Sequence, residues 1–311
     1  MAGILIYSEN TNLALELLAA ARTISESLKL AINAVAINDA KQAVEMTSRG
    51  ADIFLVCEPD LLHADAGAVA YALQQVASQN NASIILLASN RRGKELAGRL
   101  AQEWGAGCLS DVKGLSIENE TVLCERNVLG GAAVAVQKIK GIRQVIAISP
   151  RAFSPDQSQG EGKLIECKVY PRSSSLRLLE TLPKATDRVK IEEAEVLVVV
   201  GQGVESKESL TGITAIAKAL GGEIACSKPV ASDKKWLGEE RIVGLSGKIC
   251  KPQLAIILGV SGQVQFTVGI RDAGTIISIN NDEKALMNNM ADYVMIADLK
   301  EVLPDLNKAL G

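Results

Sequence analysis

Short apolar runs along the chain alternate with longer stretches in which apolar residues return every three or four positions. "GILIYSE" reads as a strand, "TNLALELLAAARTISESL" as an amphipathic helix, "LAINAVAIN" as a strand, "DAKQAVEMTSRG" as a helix closed by a glycine, and "ADIFLVCE" as a strand. A helix over 64–79, the strand "SIILLAS" and the helix "RRGKELAGRLAQEWG" continue the series. Strands joined by helices imply a parallel sheet covered on both faces.

From about 117 to 170 the texture changes to "ETVLCERNV", "GAAVAVQKI" and "RQVIAIS", without long helices between them, which predicts an antiparallel addition to the first domain. A second alternating series follows: "AEVLVVVGQGV", the helix "SKESLTGITAIAKALGG", then "EIACSK", "LAIILGV", "TIISIN" and "DYVMIAD". "SPDQSQGEG" (154–162) is the most loop-like stretch, but the charged segment "DRVKIEEAE" just before the new sheet marks the better boundary. The expected domains are therefore 1–188 and 189–311. The expected fold class is α/β, with two Rossmann-like domains: a nucleotide-hydrolase-like parallel sheet with an antiparallel addition, then a doubly wound parallel sheet.

Composition narrows the function. The chain has 311 residues, 33 Lys+Arg against 36 Asp+Glu, and a net charge of −3, so nothing draws it to nucleic acid. The apolar runs are too short to span a bilayer and the start "MAGILIYSEN" lacks a signal-peptide pattern, so a cytoplasmic protein that is not membrane-embedded is expected. Six cysteines are scattered without a C-x-x-C pair and read as buried reduced thiols. The single histidine, His63, reads as a surface or helix-start residue, too little for a zinc site or a hydrolase triad. Side-chain acid–base chemistry is poorly supplied, which favours reactivity drawn from a bound cofactor.

Two turns after strands suit a phosphate. "GQGVES" begins like a dinucleotide G-x-G-x-x-G but carries Ser206 at the third glycine position, and an ordinary strand-to-helix turn explains it as well. In "LAIILGVSGQVQF", Gly259, Ser261 and Gly262 combine small size with an expected helix start, where free N–H groups favour an anion.

The order of "VVVGQGVESKESL", "ACSKPVASDKKWLGEERIVGLSGKICKPQLAIILGVSGQVQF", "TIISINND" and "ADYVMIADLKEVLP" resembles the FAD-binding domain of electron transfer flavoprotein alpha subunits over nearly all of 195–304. The first half, with "NRRGKELAGRLAQEWGAG", looks like the N-terminal domain of the same subunit. "ACSKPV…KKWL…ERIVG" is closest to bacterial members linked to carnitine or nitrogen-fixation metabolism. The resemblance implies FAD as cofactor. It assigns Gln202 and the loop Val243, Gly244, Leu245 and Ser246 to the cofactor's neighbourhood, with Ser246 donating to flavin N5. It places Ser227 and Lys228 beside the ring, and Ser261, Gly262, Gln263, Val264, Gln265 and Phe266 along the cofactor. Asn280, Asp298 and Leu299 fall toward the adenosine end. Gln202 and Lys228 stand where the family has Arg, and Phe266 replaces a His. Taken singly, Ser246 and Asn280 also read as turn caps, Lys228 as a solvated cation and Asp298 as a helix cap.

The same resemblance implies an electron carrier in place of an enzyme with catalytic residues of its own. It implies a heterodimer with an electron transfer flavoprotein beta subunit, an acyl-CoA dehydrogenase-type donor, and a quinone oxidoreductase or ferredoxin-type acceptor. With aromatics at 3%, the subunit contact is expected to be aliphatic. Two other readings stay open: an NAD-dependent oxidoreductase using the "GQG" loop, and a non-redox nucleotide-binding regulator derived from this fold.

Overall fold

The computed structural model describes residues 3–131, 133–172, 176–180 and 190–310. The chain divides into two compact units, Met1–Glu180 and Thr181–Gly311. The boundary expected at 188/189 lies within 181–189, outside the described residues.

The first unit runs β1 (Gly3–Tyr7), α1 (Thr11–Leu28), β2 (Ala31–Ile37), α2 (Ala40–Thr47), β3 (Asp52–Val56), α3 (Ala66–Gln79), β4 (Ala82–Ala88) and α4 (Arg91–Trp104). It continues with β5 (Gly107–Glu118), β6 (Thr121–Val128), β7 (Ala133–Gln137), β8 (Gln144–Ile148) and β9 (Leu164–Glu166). Each of the four helices starts at an Asn or Asp whose side chain accepts a first-turn N–H: Asn10 from Leu13, Asp39 from Gln42, Asp65 from Gly67 and Ala68, and Asn90 from Gly93. Such caps contribute about 1 kcal/mol each and fix where the helices begin. The apolar stripes of α3 and α4 pack with Leu5, Leu73, Ile85 and Trp104 on one face of the sheet, and α1 and α2 with Ile4, Leu17, Met46 and Leu86 on the other.

Among the described residues the strands form one sheet in the order β7-β6-β5-β8-β4-β1-β2-β3-β9. The antiparallel addition is real but differs in extent from the expectation. It begins at β5, whose polar residues and two glycines hide it from a periodicity reading, and consists of the β5/β6 and β6/β7 pairings. "RQVIAIS" supplies β8, which lies parallel to both β4 and β5 and extends the main sheet. The loop-like stretch 154–162 is anchored to this unit: Asp156 is buried and paired with Arg22, and Gly160 bridges Arg49.

The second unit comprises β10 (Val196–Val200), α5 (Ser209–Ala219), β11 (Glu223–Cys226), α6 (Lys228–Ser232), β12 (Leu254–Leu258), α7 (Val264–Thr267), β13 (Thr275–Asn280), β14 (Tyr293–Ile296) and α8 (Leu299–Leu310). Its sheet is all parallel, in the order β11-β10-β12-β13-β14. The continuous apolar runs of β10 and β12 are buried on both faces, as a central parallel strand requires. The order reverses between β10 and β12, the place where open α/β sheets hold ligands at their carboxyl edge.

Four of the six cysteines are buried, as expected, but Cys57 and Cys108 are exposed. Cys57 lies just past the end of β3, and Cys108 lies in β5, where burial is incomplete along most of the strand.

Candidate functional site

Parallel strands deliver their following residues to one edge, and in the second unit that edge collects the candidate residues. Gln202 follows β10, Ser227 and Lys228 follow β11, Ser261 to Phe266 follow β12, Asn280 ends β13, and Asp298 and Leu299 follow β14. The segment Val243–Ser246 belongs to no strand, yet hydrogen bonds bring it to the same edge. Val243 N–H donates to the carbonyl of Cys226 at 2.9 Å, and Leu245 N–H to that of Gln265 at 2.7 Å. Gly244 has φ +131, and a Cβ there would lie 2.5 Å from the Gln265 carbonyl oxygen, so only glycine lets the two loops touch.

Individual side chains divide into outward and inward sets. Gln202, Lys228, Leu245, Ser246, Ser261, Gln263, Val264, Gln265 and Asp298 are exposed. Leu245 and Val264 are 70% and 58% exposed, an uncovered apolar surface on two bonded loops. Ser227 is buried at the start of α6, without a side-chain cap bond. Phe266 is only 8% exposed and packs into the core with Val243, Cys250, Ile270 and Met287. Asn280 is buried and spans two turns: its Nδ2 donates to Val260 O at 2.9 Å and its Oδ1 accepts from Asp282 N at 3.1 Å. Asp298 accepts from Lys300 N–H at 2.9 Å and starts α8. Gly262 (φ +82) lets the loop press on Met287.

The helix expected after the β12 turn is α7, a single turn of four residues. A segment that short carries little of the dipole on which the anion argument rested. The glycines of "GQG" have a packing role. Gly203 N–H donates to Gly259 O at 2.9 Å, and a Cβ at Gly201 would lie 2.1 Å from that same oxygen. Backbone packing thus accounts for both glycines of the turn, and Ser206 stands at the third glycine position of the dinucleotide pattern.

Beside this turn a cleft of ≈ 110 Å³ is lined by Gly203, Val204, Ser206, Ser209, Asp298 and Leu303 among others. Lys300 and Glu205 pair across its rim at 2.5 Å. The Asp298 carboxylate can accept hydrogen bonds from sugar hydroxyls, and the exposed Leu245 and Val264 offer apolar surface to a ring, groups compatible with a dinucleotide that has an aromatic head.

In the first unit the corresponding reversal, between β1 and β4, holds a cavity of only ≈ 20 Å³ whose polar side chains pair with one another. Tyr7 Oη meets His63 Nδ1 at 3.0 Å, and Arg92 pairs with Glu9. His63 therefore sits half-buried against β1 near the start of α3. Burial, and after it the charge of Glu9, pushes the Tyr7 phenol well above the ordinary range.

The sequence model of the electron transfer flavoprotein domain matches residues 5–171, and that of the electron transfer flavoprotein FAD-binding domain matches 190–271. The chain belongs to the electron transfer flavoprotein alpha family. Protein FixB of Salmonella typhimurium is 30% identical over 312 residues, covering 98% of this chain and 97% of that protein. Protein FixB of Escherichia coli O81 is 32% identical over 294 residues, covering 92% of each. As the FAD-binding domain of this family, the second unit takes FAD as its cofactor. Electron transfer is the family's role, and among the described residues no helix is long and apolar enough to cross a membrane.

One side chain at this edge went unmarked in the sequence. Lys234, in the charged run "SDKKW", donates from Nζ to Gln202 O at 2.9 Å and Val204 O at 2.7 Å, and sits 4.2 Å from the centre of the Trp236 ring. Lysines in such runs are ordinarily solvated, so no local pattern signals this placement.

Proposed function

We propose that this chain binds FAD at the carboxyl edge of the second sheet and carries electrons between a dehydrogenase and a quinone oxidoreductase or ferredoxin-type acceptor, paired with an electron transfer flavoprotein beta subunit. The observation that carries the reading is the gathering of Gln202, Ser227–Lys228, Val243–Ser246, Ser261–Phe266, Asn280 and Asp298–Leu299 at one edge of one sheet. FAD, when bound, supplies the redox chemistry. The chain's own residues bind, orient and shield. Asp298 is placed to accept from hydroxyls at the cleft, while the exposed Ser246 hydroxyl and Lys228 ammonium are the donors available to the ring. Leu245 and Val264 offer apolar contact that keeps water away. Buried Phe266 and Asn280 act from beneath, one as core for the 243–247 loop, the other as the tie between the β12 and β13 turns.

An acyl-CoA dehydrogenase-type donor accords with the resemblance to electron transfer flavoprotein alpha subunits, and cytoplasmic residence is part of the same reading. An incomplete surface supports a beta partner: Tyr293, Val294, Met295 and Ile296 of the edge strand β14 are all exposed. The test is coexpression with a beta subunit, followed by ultraviolet–visible spectra, mass spectrometry of the released ligand and reductive titration. Flavin bands, an FAD mass and reversible reduction support the reading. A nicotinamide or a non-redox nucleotide in the pocket would replace it.

A further inference from the structure

Lys234 is held more firmly than a surface lysine. Its ammonium is clamped between the carbonyls of Gln202 and Val204 on one side and the Trp236 ring on the other. The clamp is built by local backbone: Lys234 N–H and Trp236 N–H return to Pro229 O and Val230 O within α6, and Lys235 adopts φ +52 between them. Trp236 in turn packs against the core cluster that contains Val204. Among the described residues no carboxylate pairs with Lys234. Gln202, the exposed side chain of the same turn, is neutral. A cation held in place, and paired with no carboxylate among the described residues, therefore stands on the turn after β10, beside the reversal of strand order.

We propose that Lys234 is the fixed cation of the FAD site, attracting the cofactor's diphosphate to the β10 turn. This inference rests on the FAD reading of the same edge. An ammonium held in place by a ring and two carbonyls gives up less side-chain freedom on meeting an anion than a mobile lysine, and its charge acts over several ångströms there. The carbonyl bonds give Lys234 a second effect, since they hold the Gln202–Val204 turn against Gly259.

The test uses the full chain coexpressed with a beta subunit, comparing wild type with Lys234→Arg, Lys234→Met and the double variant Lys234→Met with Gln202→Arg. FAD affinity is measured by equilibrium dialysis over a range of salt, and melting of the FAD-free protein checks folding. Lys234→Met is expected to weaken FAD on the order of tenfold at low salt, with the deficit shrinking as salt screens the charge. Lys234→Arg is expected to keep most of the affinity, and the double variant to recover part of it by returning a cation to the same turn. Wild-type affinity in Lys234→Met overturns the proposal. So does a deficit that is the same at all salt concentrations and is not recovered by Gln202→Arg, because that marks loss of loop shape alone. Should Lys234→Met fail to fold, Gln202→Arg in the Lys234→Arg background must still tighten FAD in a salt-dependent way, and no change there overturns the proposal. A wild-type protein that takes up no FAD sinks the FAD reading itself, a result separate from any difference among the variants.

Discussion

Gly201 and Gly259 meet backbone to backbone at the reversal of the second sheet, so closely that a Cβ on Gly201 would lie 2.1 Å from the Gly259 carbonyl oxygen. The oxygen belongs to main chain and cannot swing away as a flexible side chain could. Gly201→Ala is therefore expected to cost about 1–3 kcal/mol of stability and to weaken FAD binding. Gly98, on the exposed face of α4 with open space around it, should respond in the opposite sense: Gly98→Ala is expected to gain about 0.5–1 kcal/mol. Urea unfolding of the two variants decides the matter, and equal changes would contradict the packing argument.

Lys228 is exposed at the start of α6, beside the proline at 229, and is expected to face the flavin. Lys228→Ala should lower the flavin's one-electron potential by up to on the order of a hundred millivolts and loosen FAD, since a unit charge a few ångströms away is worth up to a few kcal/mol at an effective dielectric of about 20. Lys228→Arg should hold the potential. Spectroelectrochemical titration of the three proteins reads this directly, and identical potentials would place Lys228 in solvent.

Burial pushes the Cys226 thiol up to about 12, partly opposed by Arg241, and pushes Cys124 up to about 11. Both values exceed those of the unfolded chain, near about 8.5. The stability these thiols contribute is therefore intact below that range and lost as pH climbs toward the folded values. Unfolding midpoints measured between about pH 8 and about pH 10 should fall, and fall less steeply in Cys226→Ala. Tyr7, also raised by burial, keeps a residual slope in that variant. Native-state alkylation at neutral pH should mark Cys57 and spare Cys226.

Asp156 gives the opposite slope. Burial works to raise its pKa, but hydrogen bonds from Ser158 and Arg22, with the Arg22 charge, outweigh it and hold the carboxyl below its usual range. Its contribution is present above about pH 4 and disappears as pH drops through the lowered value. Asp156→Asn is expected to cost about 1–3 kcal/mol at neutral pH and to flatten the acid limb of the stability profile. A steeper acid limb in the variant would rule this out.

How much of this could be read beforehand depends on where the controlling interaction lies. The helices and parallel strands were legible because burial of one face imposes a local period, and α1 coincides with its apolar repeat from Thr11 to Leu28. β5 escaped because its partners β6 and β8, not its own alternation, hold it in the sheet. At the site, the β12 turn promised a helix, but the chain turns after four residues to pack Phe266 inward. Lys234 was invisible for the same reason: its acceptors lie 32 and 30 residues earlier in the chain.

Among the described residues, strand β14 ends the second sheet with no strand paired on its outer side and four exposed side chains, Tyr293 to Ile296. Such an edge is indifferent to whose strand it accepts. With the beta subunit proposed above as its partner, a chain made ahead of that partner would expose a self-templating surface. Balanced synthesis of two polypeptides would then matter to the survival of the protein, quite apart from any electron it carries.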